Sequence, residues 1–208
     1  MLKFLTRFTM VAVLGAGLQM SARAADETPD VLIKNATNEI IEVLKTDKAI
    51  QAGDVKHTQD VIESKVLRYF DFNKMTGSAV GREWRNATPE QKTQLAKEFQ
   101  ALLVRSYSNA LTQYKNQTVD VKPFKAPAGD TEVTVKTEVK QPGGKPVTID
   151  YDLTKTADGW KVFDVYVAGV SLVANYRDTF GQEIKTSGID GLIKSLREKN
   201  AAKVIEKK

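Results

Sequence analysis

Cysteine is absent from the 208 residues of this chain, and histidine occurs once, at His57. Without cysteine there are no disulfide staples, so stability must come from a packed apolar core. With one histidine and no thiol, a transition-metal centre lacks its usual ligands, and His57 reads as an exposed helix residue. Also missing are a Gly-rich phosphate loop, a carboxylate cluster with calcium-loop spacing and a basic patch interleaved with aromatics. No apolar run reaches the roughly 20 residues that a bilayer core requires. Charge of one sign is scarce too. The formal excess is +5, but Lys3, Arg7 and Arg23 all precede the first acid, Asp26, and without them the excess is +2. That is too little to argue for nucleic acid, and most of the other charges alternate in sign as on a solvated face.

What is present at the start is a processing pattern. Lys3 and Arg7 give a positive beginning, residues 8–20 are apolar, and Ala22-Arg23-Ala24 is an A-x-A site. Residues 1–24 are therefore expected to be a cleaved export signal, residues 25–200 one domain, and 201–208 a polar tail. Roughly 180 residues are enough for an ordinary core.

The first half of the chain has helical periodicity. Leu32, Ala36, Ile40 and Val43/Leu44 form a stripe over residues 29–44, and Ile62, Val66, Tyr69 and Phe70 form a second one. Residues 72–84 suggest short turns broken near Gly77 and Gly81. The strongest helix signal follows, with Thr88 as N-cap, Pro89 in the first position and Gln91 closing a capping box. Behind it Leu95, Phe99, Leu102/Leu103, Tyr107, Leu111 and Tyr114 keep one face for about 25 residues.

The period then changes to 2. Val119 and Val121 suggest a short strand, while Val133, Val135 and Val139, followed by Val147, Ile149, Tyr151 and Leu153, give a hairpin about Pro142-Gly143-Gly144. Asp158-Gly159 turns into a strand from Trp160 that should run through Gly169 into an apolar helix. By simple alternation Trp160, Val162 and Tyr166 face one way and Phe163, Val165 and Val167 the other. Both faces of that strand then need cover. Two closing helices, 172–185 and 189–199, are separated by Gly188. The expected fold is α+β, a twisted antiparallel sheet of about four strands packed against several helices and able to enclose an apolar cavity.

Polar chemistry is sparse. Gly169-Val170-Ser171-Leu172-Val173 resembles the G-x-S-x-G elbow of lipases but lacks the final glycine, and no histidine is placed to serve Ser171. Ser171 is better read as a helix cap. Asp164 could be a desolvated base of a cone-shaped isomerase site, or a hydrogen-bonded structural carboxylate at a sheet edge. Candidates for an apolar cavity wall are Val80, Trp84, Phe99, Leu103 and Tyr107 from the helices, with Val135, Tyr151, Leu153, Val165, Val167 and Val170 from the sheet. Leu172 and Val173, where the last helix begins, complete the set. Ordinary core would give the same periodicity.

Several segments together resemble one family. Phe70-Asp71-Phe72, Val80-Gly81-Arg82-Glu83-Trp84-Arg85, Ala87-Thr88-Pro89-Glu90-Gln91, Gly169-Val170-Ser171-Leu172, Asn175-Tyr176-Arg177 and Gly188-Ile189-Asp190-Gly191-Leu192 are similar in order and spacing to the MlaC, or toluene-tolerance Ttg2, family. Arg68 departs from it, since relatives often have proline there. The resemblance implies a periplasmic phospholipid-binding protein with acyl chains between sheet and helices, and a pocket involving Val80, Trp84, Tyr107 and Val170. It also implies two partners, an MlaA-type outer-membrane lipoprotein and an inner-membrane ABC transporter with an MCE-domain subunit. On this reading there is no catalytic residue, metal or cofactor, and a freely diffusing monomer suits the task. The alternatives are a small-molecule enzyme using Asp164, and an adapter or chaperone with a solid interior and an exposed apolar patch.

Overall fold

A computed structural model of the chain describes residues 27–114, 116–126 and 129–202. The expected export signal, the start of the processed chain at Ala25 and residues 203–208 of the tail lie outside the described residues. The order is helices, sheet, helix. Helix α1 (Pro29–Thr46) begins with Pro29 in its first turn, where the missing N–H costs nothing. Asp47 ends α1 and caps the short α2 (Lys48–Gln51) through the N–H groups of Ala49 and Ile50, at 3.0 and 3.1 Å. Helix α3 (Val55–Val61) is capped by Asp54.

The second helical stripe is not a single helix. After α3 the chain makes a π turn at Ile62–Val66 and a 3-10 turn at Leu67–Tyr69, then goes extended at Phe70. The reason is a tertiary hydrogen bond: Asp71 N donates to the carbonyl of Val162, at 2.8 Å, and Phe70 bridges to that strand. Asp71 then caps α4 (Phe72–Val80), which runs unbroken through Gly77 and stops at Gly81, φ 71°. Gly77 is tolerated inside the helix because the Trp84 ring lies where a side chain would be, with Nε1 3.0 Å from a Cβ built there. A 3-10 turn at Gly81–Arg85 leads to α5 (Pro89–Thr112). Its capping box forms as read, Gln91 N to Thr88 Oγ1 at 3.2 Å and Thr88 N to Gln91 Oε1 at 3.0 Å.

The sheet is an antiparallel meander of β1 (Thr118–Val121), β2 (Glu132–Lys140), β3 (Val147–Thr156), β4 (Gly159–Val167) and β5 (Val170–Ser171). It has five strands where about four were expected. Ala168 (φ 50°) and Gly169 (φ 81°) both take left-handed backbone, so the chain makes a tight two-residue hairpin that pairs Val167 with Val170. The strand therefore folds back at Gly169 and does not run straight into the helix. The closing segment α6 (Leu172–Ala201) is bent at Gly188, φ 72°, which gives the two helical pieces expected.

Simple alternation fails along β4. Tyr151 opposes Val165 and Asp152 opposes Asp164, but Leu153 opposes Val162, so Phe163 is an extra residue in a β-bulge. One extra residue reverses the facing of everything before it. Trp160 and Val162 therefore share a face with Val165 and Val167, and Asp164 shares the opposite face with Tyr166. Two cores result. In one, α4, α5 and α6 pack Met75, Leu95, Phe99, Phe180, Leu192 and Leu196, all nearly inaccessible. In the other, Ile33 of α1 lies on Val135, Leu153, Trp160, Val162 and Val165 of the sheet.

Candidate functional site

Between the second core and the C-terminal half of α5 the protein leaves a cavity of about 500 Å³. Its walls follow from the elements just described. The inner stripe of α1 supplies Ile33, Ala36, Ile40, Ile41 and Leu44, the π and 3-10 turns supply Ile62, Val66 and Leu67, and the segment before and within α4 supplies Phe70, Phe72 and Met75. From α5 come Leu103, Val104, Tyr107, Ala110, Leu111 and Tyr114, and from the sheet Val119, Val139, Ile149, Tyr151, Val162, Val165 and Val167, with Leu172 at the start of α6. Among the described residues, none that lines the cavity is charged. The most exposed wall residues, Tyr107 at 38% and Val167 at 38%, together with Ala110 and Gln141, mark the mouth.

Six of the thirteen residues put forward from the sequence line this space: Leu103, Tyr107, Tyr151, Val165, Val167 and Leu172. The other seven lie outside it. Phe99 sits about one turn before Leu103 on α5, and there the helix packs on α6, with Phe99 edge-on to Tyr176 and Phe180 at 5.1 and 5.2 Å between ring centres. Val80 and Val173 are buried in that same helical core. Val135 and Leu153 lie under α1 at the sheet's centre, with no surface left to expose. Trp84 covers Gly77 from the flank, with the Lys92 ammonium 5.7 Å from its ring. Val170 is 60% exposed on the β4–β5 hairpin, because the two-residue turn carries it past the mouth.

The α1 wall was legible as an amphipathic stripe, but the stripe does not say whether it meets side chains or space. Phe72 and Met75 carried no periodic signal, and Phe70, which belonged to the second stripe, is extended and lies across a helix boundary from them. A polar strut holds α1 in place outside the cavity. Glu39 accepts from Tyr69 Oη at 2.9 Å, from Lys65 Nζ at 3.4 Å and from the Arg68 guanidinium. The tyrosine hydrogen bond, followed by the two cations, holds the Glu39 carboxyl below the usual glutamate range. Arg68, the residue that departs from the family pattern, thus has a partner here. Inside, burial pushes the Tyr151 phenol up to about 12, so it remains a neutral donor.

Asp164 is a brace. It accepts from Ser171 Oγ at 2.5 Å, Val165 N at 2.7 Å and Val173 N at 3.2 Å, and the bulge turns it to the sheet face away from the cavity. Ser171 caps α6 through Ala174 N, at 2.8 Å, as read. His57 is not simply exposed, for its Nε2 lies 2.7 Å from Asp47 Oδ2. A second hollow of about 500 Å³ lies on the outer sheet face, among Lys122, Lys125, Asp130, Glu132, Lys136 and Asp152. Phe124, Val133 and Phe163 line it as well, but its charged groups would lose hydration if an acyl chain covered them. Among the described residues no cluster of His, Cys, Asp or Glu is suited to a metal ion.

Comparison with known proteins gives a consistent set of similarities. Residues 34–198 match the family model described as MlaC protein. The chain is 23% identical over 202 residues to the intermembrane phospholipid transport system binding protein MlaC of Haemophilus influenzae, covering 95% of this chain and 94% of that one. It is 28% identical over 188 residues to the toluene tolerance protein ttg2D of Pseudomonas putida, covering 87% of each. Among solved structures it is similar to a phospholipid-binding protein from Ralstonia solanacearum in complex with a phospholipid, at 37% identity and a TM-score of 0.77, covering 85% of this chain and 98% of that one.

Proposed function

This chain belongs to the MlaC family, and on that premise we propose that it is a phospholipid carrier that shelters acyl chains in the cavity between sheet and helices. The observation that carries this reading is the hydrocarbon-walled space of about 500 Å³. An unfilled apolar void of that size would cost on the order of 10 kcal/mol if its walls could not relax. A whole domain's stability is only about 5–15 kcal/mol. The space therefore makes physical sense as the seat of an apolar guest.

The same physics suits loading and release. Burying a methylene is worth about 0.8 kcal/mol, so roughly 30 of them lose on the order of 20 kcal/mol on entering water. A carrier must offer nearly what a bilayer offers, or it cannot extract the lipid, and not much more, or it cannot let go. Aliphatic and aromatic walls, with no charge among the described lining residues, meet both conditions. We further propose passive transfer with no catalytic step, by a periplasmic monomer whose export signal is residues 1–24. Its partners would be an MlaA-type outer-membrane lipoprotein and an MCE-domain ABC transporter of the inner membrane. The name of the Haemophilus relative, a binding protein of an intermembrane system, supports that placement. Native mass spectrometry of protein isolated from its own compartment is expected to show adducts of phospholipid mass, with glycerolipid in the solvent extract. Protein at its bare mass with no lipid in the extract would overturn the proposal.

A further inference from the structure

The cavity wall contains a few polar groups, and nearly all are engaged by the protein. Thr37 Oγ1 donates to the carbonyl of Ile33 at 2.7 Å, and Tyr69 Oη to Glu39 at 2.9 Å. Tyr114 Oη donates to the carbonyl of Gln117 at 3.2 Å, and Gln141 Nε2 to that of Lys145 at 3.2 Å. Tyr107 lies at the mouth with the Tyr176 phenol beside its own, and Gln117 has a partner of its own. Tyr151 differs. It is deep enough for burial alone to raise its phenol, yet none of the described residues meets its hydroxyl, and the hydroxyl is not sealed off. Its accessible surface opens onto the cavity.

A neutral donor left unpaired among hydrocarbon costs free energy unless something in the cavity accepts from it. Its depth narrows what that can be. On β3 Ile149 pairs with Val167 at the mouth, Tyr151 is two residues further in, and Leu153 beyond it is fully buried. Two strand residues span about 7 Å. Acyl tails carry no acceptor. A phosphate at that depth would meet no cation among the described lining residues, and desolvating it would be costly. The ester carbonyls, at the junction of headgroup and tails, are neutral acceptors and lie just below a headgroup held at the mouth.

We infer that the Tyr151 hydroxyl is the positioning donor of the cavity, giving its hydrogen to an ester carbonyl of the bound phospholipid and so fixing how far the lipid enters. This rests on the carrier reading above. The test compares wild type and Tyr151→Phe with a diester phospholipid and its diether analogue of the same chains and headgroup. One neutral hydrogen bond is worth about fivefold in affinity. Wild type is expected to prefer the diester by about that factor, and Tyr151→Phe to bind both equally. The infrared ester-carbonyl band of bound diester should contain a hydrogen-bonded component in wild type that is lost in the variant. The lipid-free variant should melt no lower than wild type, because it buries one unpaired hydroxyl fewer. Uptake of both lipids by wild type without discrimination, or a carbonyl band unchanged by the substitution, overturns the assignment of Tyr151 alone. Uptake of neither lipid by either protein overturns the carrier reading, and this inference with it.

Discussion

The helical core and the sheet-side cavity are built from similar apolar residues, yet one is solid and the other hollow. In the helical core three aromatic rings, Phe99, Tyr176 and Phe180, lie within 5.1 to 5.5 Å of one another. Fully buried Ala79 is one of the small side chains around them, and large and small side chains interlock to interior density. Val is the commonest residue of the cavity walls and Ile is frequent there, and being short and stiff at χ1 they cannot lean across to fill a gap. Their backbones are anchored from behind. α1 rests on the sheet through Ile33 and is tied to the 3-10 turn by Glu39, while α5 is held by α6. Solidity here follows from which side chains face each other, and hollowness from walls fixed elsewhere.

The largest effect that separates the two regions should come from Phe99→Ala. It removes a ring from the solid core and is expected to cost about 3–5 kcal/mol, read by urea unfolding, while lipid bound per folded molecule stays unchanged. Loss of lipid at full folding would mean that the cores are not independent. Next is Asp164→Ala, which strands Val165 N, Val173 N and Ser171 Oγ at a cost of about 3 kcal/mol. Its melting curve would test whether the β5–α6 junction belongs to the rigid frame of the cavity.

Ala36→Trp works the other way, by adding volume to the hollow side. The ring should occupy lipid space, weaken phospholipid binding at least about tenfold, and leave the melting temperature of lipid-free protein unchanged or raised. Unaltered lipid capacity would show that the α1 wall does not enclose the tails.

The smallest effect is a pH dependence far from either core. The Asp47 hydrogen bond and charge hold His57 above its ordinary 6.5, with Asp54 and Asp60 adding to the shift, and the His57 hydrogen bond leads the causes that hold Asp47 below its ordinary 3.8. A raised histidine stabilises the fold fully below about pH 6.5, and a lowered aspartate fully above about pH 4. The pair therefore contributes most between those values. It fades as pH rises through the His57 value or falls through that of Asp47. Melting temperatures of wild type and His57→Gln should differ slightly near pH 5 and converge above neutrality. A constant difference across the range would break the pairing.

Much of the architecture could be read from residue order. The capping box at Thr88 and Gln91, the hairpin about Pro142-Gly143-Gly144, the cap at Ser171 and the break at Gly188 are local, and local chemistry determines them. The facing of β4 could not be read. Nothing in Trp160 to Val167 announces a bulge at Phe163, which arises from pairing with β3, and one extra residue put Trp160 and Val162 on the face opposite Tyr166, with which alternation had grouped them. The fold-back at Ala168 and Gly169 likewise put Val170 outside. For the cavity wall, the resemblance and the periodicity both pointed to Tyr107, while Phe70, Phe72 and Met75 became neighbours only because Asp71 bonds to Val162 across the structure.

By itself the sequence determined the elements, the α+β order, the apolar stripes and the family, because periodicity, caps and turn residues act over a few positions. Tertiary structure alone decided which stripes meet and which stand apart. Emptiness is a property of distances between elements that lie far apart in the chain, and no local pattern encodes such a distance.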